Sequence, residues 1–60
     1  MTIKEMRLLT GMSQAKFGEY LGISKRTIED WESERRKSPE YVLGLIEYKL
    51  RNEKLIQNNT

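Results

Sequence analysis

Neither cysteine nor histidine occurs in these 60 residues, and each absence removes a class of chemistry. Without cysteine there can be no disulfide framework and no thiolate metal site. Without histidine the chain lacks the commonest metal ligand and the commonest general base near neutral pH. No apolar run approaches the roughly 20 residues that a membrane span needs, and the N-terminus does not open on one. The chain is therefore expected to be cytoplasmic, with no membrane partner. It also lacks a phosphate-binding glycine loop, and it is too short to enclose a water-excluded pocket around its carboxylates, serines and tyrosines. We expect no enzyme: no catalytic residue, no metal and no cofactor.

A charge of one sign is lacking too. The formal net charge is +2, too mild to announce a nucleic-acid partner by itself. Lys4, Arg7 and Lys16 face Glu5 and Glu19 in the first part of the chain, and the last part balances three basic against three acidic side chains. The one local run is Arg35-Arg36-Lys37, and such runs are on average solvated turns. A chain of this length makes a single domain that buries only about 60% of its unfolded surface, so its stability depends on good packing or on a partner.

What is present is a succession of helix starts and stops. Thr2 followed three residues later by Glu5 has capping-box spacing, and predicts a helix over about 3–9 with Ile3, Met6 and Leu9 on one face and Leu8 at its edge. Gly11 would end it in a left-handed cap. Ser13 caps a second helix over about 14–21, whose apolar residues are Ala15, Phe17 and Leu21 with Gly18 at the inner edge. Gly22 then takes the turn, where a positive φ costs glycine nothing. Ser24 caps a third helix over about 25–33. Its Ile28 and Trp31 point to one side, leaving Lys25, Arg26, Glu29, Asp30 and Ser33 on the outward face. A short helix with one buried stripe can offer its first turns to a DNA major groove about 12 Å wide.

Ser38 as cap and Pro39 at the first helical position restart the chain. No second proline or glycine pair follows, so a long C-terminal helix is expected over about 39–57. Val42, Leu43, Ile46 and Leu50 would close the core. Tyr41, Leu45, Tyr48, Leu55 and Ile56 fall in a different sector and make a second apolar stripe. Scattered surface tyrosines and leucines with frayed last turns are one reading of that stripe. The favoured one is a two-fold contact in a homodimer that reads half-sites about one helical turn apart.

Gln14, Gly22, Ile28 and Trp31, together with the segment TIEDWE and the basic run that follows it, resemble the Xre-type helix-turn-helix family, which includes the lambdoid phage repressors and Cro. The resemblance covers about 3–46. It implies an all-α fold: a four- to five-helix compact bundle of the phage-repressor-like type, with a central helix-turn-helix and the long C-terminal helix. It implies sequence-specific binding of double-stranded DNA through the major groove by a transcriptional regulator, expected to be a repressor on a palindromic operator. Carried over position by position, Gln14 would grip a phosphate, where a helix N-terminus adds free amides and positive dipole. Ser24, Lys25, Arg26 and Thr27 stand at the start of the recognition helix. Glu29 and Asp30 are its next outward positions, and Ser33, Arg35, Arg36 and Lys37 match backbone contacts at and after its end. Arg7 and Glu32 occupy the positions of an ion pair that, in phage repressors, joins the first helix to the end of the recognition helix.

The chain also departs from the family. Gly18 stands where alanine is usual, and glycine inside a helix costs about 0.5–1 kcal/mol relative to alanine. Glu34 stands where glycine is common, which predicts no left-handed cap and a third helix that runs on or ends in a looser turn. Glu29 and Asp30 put negative charge on the DNA-facing side, where they either accept a hydrogen bond from a cytosine amino group or repel phosphates. The alternative function is a protein-interaction module that keeps the helix-turn-helix scaffold and acts through a protein partner such as a toxin.

Overall fold

Three hydroxyl groups start three helices. Thr2, Ser13 and Ser24 are each extended, and each side-chain oxygen accepts a backbone N–H three residues on: from Glu5 at 3.1 Å, Lys16 at 3.1 Å and Thr27 at 3.2 Å. Glu5 reaches back to the Thr2 N–H at 2.7 Å and completes the capping box. The computed structural model describes residues 1–56, which hold α1 (Ile3–Thr10), α2 (Gln14–Leu21), α3 (Lys25–Glu32) and α4 (Glu40–Asn52). The fourth helix starts differently from the expectation. Pro39 is its N-cap, with ψ 140°, and no side chain caps it, so Ser38 plays no capping part. The Pro39 carbonyl accepts the Val42 and Leu43 amides at 3.1 and 3.2 Å, which starts the helix at Glu40.

Every helix is followed by a residue in the left-handed region: Gly11 at φ 76°, Gly22 at 74°, Glu34 at 63° and Lys54 at 61°. At Gly22 this costs nothing, and it lets the Ile23 amide fold back onto the Gly18 carbonyl at 2.8 Å. Glu34 and Lys54 have no such freedom. The expectation of a loose, non-left-handed exit from α3 is therefore overturned: Glu34 donates its amide to the Trp31 carbonyl at 3.3 Å and turns the chain as a glycine would. Glu34→Gly should stabilise the domain by about 0.5–1 kcal/mol, because the Cβ conflict in the left-handed region disappears. A thermal melt should show a rise of about 3–6 °C.

The same device ends α4 at Asn52, short of the expected position 57; Gln57 itself lies outside the described residues. Lys54 donates to the Arg51 carbonyl at 3.0 Å and Leu55 to the Leu50 carbonyl at 2.8 Å, a Schellman pair with apolar side chains at both ends of the longer bond. The reversal delivers Ile56 into the core.

That core comprises Ile3, Met6, Phe17, Ile28, Ile46, Leu50 and Ile56, with Met12, Tyr20, Leu21, Ile23, Trp31, Val42, Leu43 and Leu55 half-buried against it. Leu9, expected on the inner face of α1, is exposed, as is Leu8. A three-residue step on a helix falls about 60° short of a full turn, so the second step from Ile3 carries Leu9 off the buried sector. Arg7 and Thr10 are half-buried in its place. Ala15 of α2 is likewise exposed. The end of α4 is tied to α2 by polar contacts. Tyr20 donates its hydroxyl hydrogen bond to Glu53, while Lys49 Nζ sits 3.0 Å from Glu53 and 4.9 Å above the Tyr20 ring. Desolvation, reinforced by the Glu53 hydrogen bond and charge, pushes the Tyr20 hydroxyl up to about 12.

Candidate nucleic-acid interface

The position of α3 is set from behind. Arg7 of α1 forks onto Glu32 in the last turn of α3, with Nε 2.6 Å from Oε2 and Nη2 3.0 Å from Oε1. Its remaining nitrogen donates to the Met12 carbonyl at 3.0 Å, so the guanidinium spans α1, the α1–α2 link and α3. The two side chains are only 14% and 6% exposed. Gln14, at the first position of α2, donates Nε2 to the same Glu32 carboxylate at 3.2 Å. Burial works to raise the Glu32 pKa. The hydrogen bonds from Arg7 and Gln14, with the charges of Arg7 and Lys4, outweigh it and hold the carboxyl below its ordinary range.

The structure brings Arg7 and Glu32 together as the pairing expectation required. It also shows what the residue pattern did not signal, that Gln14 belongs to the same network. One N–H of the Gln14 amide is committed inside the protein, which leaves its second N–H and the free backbone amides of the α2 N-terminus as donors. At the other end of α2, Gly18 lies against the turn into α3. A Cβ built there would meet the Ile23 carbonyl oxygen at 2.5 Å, so the close approach of α2 and α3 depends on the missing side chain.

The outward residues divide into three groups. Ser24 and Thr27 satisfy each other across 2.9 Å at the head of α3, beside the Ser24 cap. Lys25 and Arg26 project into solvent with side chains 58% and 74% exposed, each 3.6 Å from an acidic residue one turn on: Lys25 from Glu29, Arg26 from Asp30. Ser33, Arg35, Arg36 and Lys37 are exposed around the exit of α3. The Ser33 hydroxyl and the Arg36 amide both donate to the Asp30 carbonyl at 3.3 Å, which folds the basic turn back onto the helix end.

Asp30 departs from the sequence reading. It was expected beside Glu29 on the outward face, yet as a whole residue it is only 7% exposed. Helix phase is not the reason, since Asp30 lies about 160° round α3 from Ile28; the turn after α3 folds back onto Asp30 through the Ser33 hydroxyl and the Arg36 amide and covers it. Glu29 alone keeps its carboxylate in solvent on the outer side, at 43% exposure.

On α4, Tyr41, Leu45 and Tyr48 are exposed at the spacing of one helix face. Ile56 is buried within its own chain, and Leu55 packs half-buried against the core. Neither continues the stripe in which the straight helix would have placed it.

A helix-turn-helix family model matches residues 3–48, from the first turn of α1 into α4. The chain belongs to the Xre-type helix-turn-helix family. The Xre-type unit is a DNA-binding regulatory module rather than an enzymatic one, and its all-helical fold is the one observed. No curated protein and no solved structure matches the chain. Among the described residues of this Xre-type domain, no helix is long and apolar enough to cross a membrane, and no cluster of acidic side chains could hold a metal ion.

Proposed function

We propose that this protein is a transcriptional repressor that binds a palindromic operator as a homodimer, laying α3 in the major groove of each half-site. The observation that carries the reading is the exposed pair Lys25 and Arg26 at the head of a helix braced from behind by Arg7–Glu32, with Arg35, Arg36 and Lys37 clustered where it ends. Cations at both ends of one exposed helix suit two lines of phosphates flanking a groove, with base edges between them. The free backbone amides of the α2 N-terminus, with the second N–H of Gln14, add a further anchor for a phosphate. The homodimer rests on Tyr41, Leu45 and Tyr48, an apolar face of α4 that the chain leaves uncovered. A self-complementary face of this kind mirrors the two-fold symmetry of a palindrome.

Titration of labelled duplex pools tests the reading. Affinity should fall on the order of 10²–10³-fold between about 50 and 200 mM salt if about five phosphates are neutralised. Leu45→Arg, in the middle of the α4 face, should leave the helical fold intact by circular dichroism and abolish the dimer in sedimentation, lowering the melting temperature only by the stabilisation the dimer supplied. It should weaken binding to a two-half-site duplex far more than to a single half-site. Absence of duplex binding at low salt would instead favour the protein-partner function, with α4 docking a protein such as a toxin.

A further inference from the structure

We infer that Arg26 reads a guanine and that Asp30, instead of touching DNA, is the positioning residue that holds the Arg26 fork for it. The inference deepens the reading of α3 as the major-groove helix and rests on it. Lys25–Glu29 and Arg26–Asp30 have the same spacing and the same 3.6 Å separation, but they are not alike. Glu29 is 43% exposed, so its pairing with Lys25 joins two solvated, freely rotating side chains and is worth little. The Asp30 side chain is 11% exposed, and its main-chain carbonyl is held by the Ser33 hydroxyl and the Arg36 amide. Its carboxylate therefore sits low beside the helix, on a shorter and more enclosed side chain than that of Glu29, and Arg26 reaches back to it.

The atom that comes is Nε. With Nε directed at Asp30, the two terminal nitrogens of the guanidinium are left as a parallel pair of donors on a side chain that is otherwise 74% exposed. In the major groove, guanine presents two adjacent acceptors, O6 and N7, and a guanidinium fork matches them bidentately. Adenine sets an amino donor beside N7, and cytosine and thymine offer no acceptor pair. The ion pair biases Arg26 toward this orientation before binding, and the fork tightens only when a base completes it. Because Asp30 is recessed, its charge is spent on Arg26 rather than on repelling phosphates. Lys25, a point charge with a mobile partner, is left as the sequence-indifferent neighbour.

The test is selection from random duplexes with the intact chain, followed by titration of the selected site and its single-base variants against wild type, Arg26→Ala, Arg26→Lys and Asp30→Asn. The wild type should select a guanine at one position of each half-site. R26A should reduce discrimination there by about 10–100-fold, with other positions unaffected. R26K keeps the charge and loses the fork, so it should retain affinity for unselected duplex while losing the guanine preference. D30N should reduce the same preference on the order of 10-fold and leave affinity for unselected duplex close to that of wild type, since the charge removed is recessed from the phosphates. A merely structural role for Asp30 would weaken all duplexes together. Uniform weakening by R26A makes Arg26 a phosphate contact and overturns the inference, as does an unchanged guanine preference in D30N. Circular dichroism checks that D30N folds; if it does not, R26K decides, and a retained guanine preference in R26K overturns the proposal. A wild-type chain that binds no duplex at low salt overturns the reading of α3 itself, a result distinct from all of these.

Discussion

Glu32→Ala should lower the melting temperature on the order of 10–20 °C, because it strands a nearly buried guanidinium at the junction of three helices. Arg7 loses both bonds of its fork and keeps only the Met12 carbonyl, and Gln14 loses its partner in the same step. Breaking a buried pair by deleting one member costs about 3–5 kcal/mol, far more than the pair contributes relative to apolar replacements. Here the low end is expected, since Arg7 is 14% exposed. Each kcal/mol moves the melting point of a domain this size by about 4–8 °C. Glu29→Ala is the matched control: it removes an exposed pair worth about 0.3–0.5 kcal/mol. Equal shifts for the two variants would overturn the bracing role of Glu32. The double variant Arg7→Met, Glu32→Leu should recover most of the loss, because no charge is left stranded.

The same carboxylate gives the domain an acid-sensitive limb. The folded-state pKa of Glu32 is depressed below 4.5, so its contribution is present above that value and is lost as pH falls through the lower folded one. Stability measured from pH 6 downward should therefore fall on the acid side of about 4.5, and Glu32→Gln should flatten that decline. Glu5 and Glu53 are depressed as well, Glu5 by its capping bonds with Thr2 and Glu53 by hydrogen bonds from Tyr20 and Lys49. Some acid dependence should thus persist in the variant.

How much of this was legible depended on which residues carried the signal. The three hydroxyl caps announce α1, α2 and α3 because their chemistry is local: one oxygen, one amide, three residues apart. Gly11 and Gly22 announce the ends of α1 and α2 for the same reason. Glu34 and Lys54 do the same work with side chains that carry no left-handed preference, so the exit of α3 was misjudged and α4 was expected to run too far. There the turn is enforced by burial beyond it. Leu50 and Leu55 clasp across the Schellman bond and Ile56 completes the core. Leu50 followed five residues later by Leu55 was the available clue, though weaker than a glycine. Asp30 was misjudged because an aspartate next to a glutamate on an amphipathic helix reads as solvent face. The turn that Ser33 and Arg36 fold back onto the end of α3 covers Asp30 and leaves Glu29 in water, a tertiary effect with no local signal in the order of residues. The Arg7–Glu32 correspondence was legible only through the family resemblance, since nothing local links residues so far apart.

Gly18→Ala is the second large effect, and its sign separates packing from propensity. In a helix interior, alanine is favoured over glycine by about 1 kcal/mol, so propensity alone predicts a more stable α2. The new methyl would stand 2.5 Å from the Ile23 carbonyl oxygen, a backbone atom that no rotamer change can move. Ile23 precedes the Ser24 cap, and its own amide is bonded to the Gly18 carbonyl, so any relief displaces the head of α3. Overpacking of this kind costs about 1–3 kcal/mol, which outweighs the propensity gain. The melting temperature should fall by about 5–15 °C rather than rise. Gly44 supplies the internal comparison, since a Cβ there meets nothing within 4 Å. Gly44→Ala in α4 should raise stability by about 0.5–1 kcal/mol. If both variants stabilise, the α2–α3 turn has slack and the position of the recognition helix does not depend on the bare backbone of Gly18. If the signs oppose, duplex binding by Gly18→Ala at a temperature where it remains folded should still be weaker than wild type, because a tilted α3 no longer brings Lys25 and Arg26 to the groove in register with Arg35, Arg36 and Lys37.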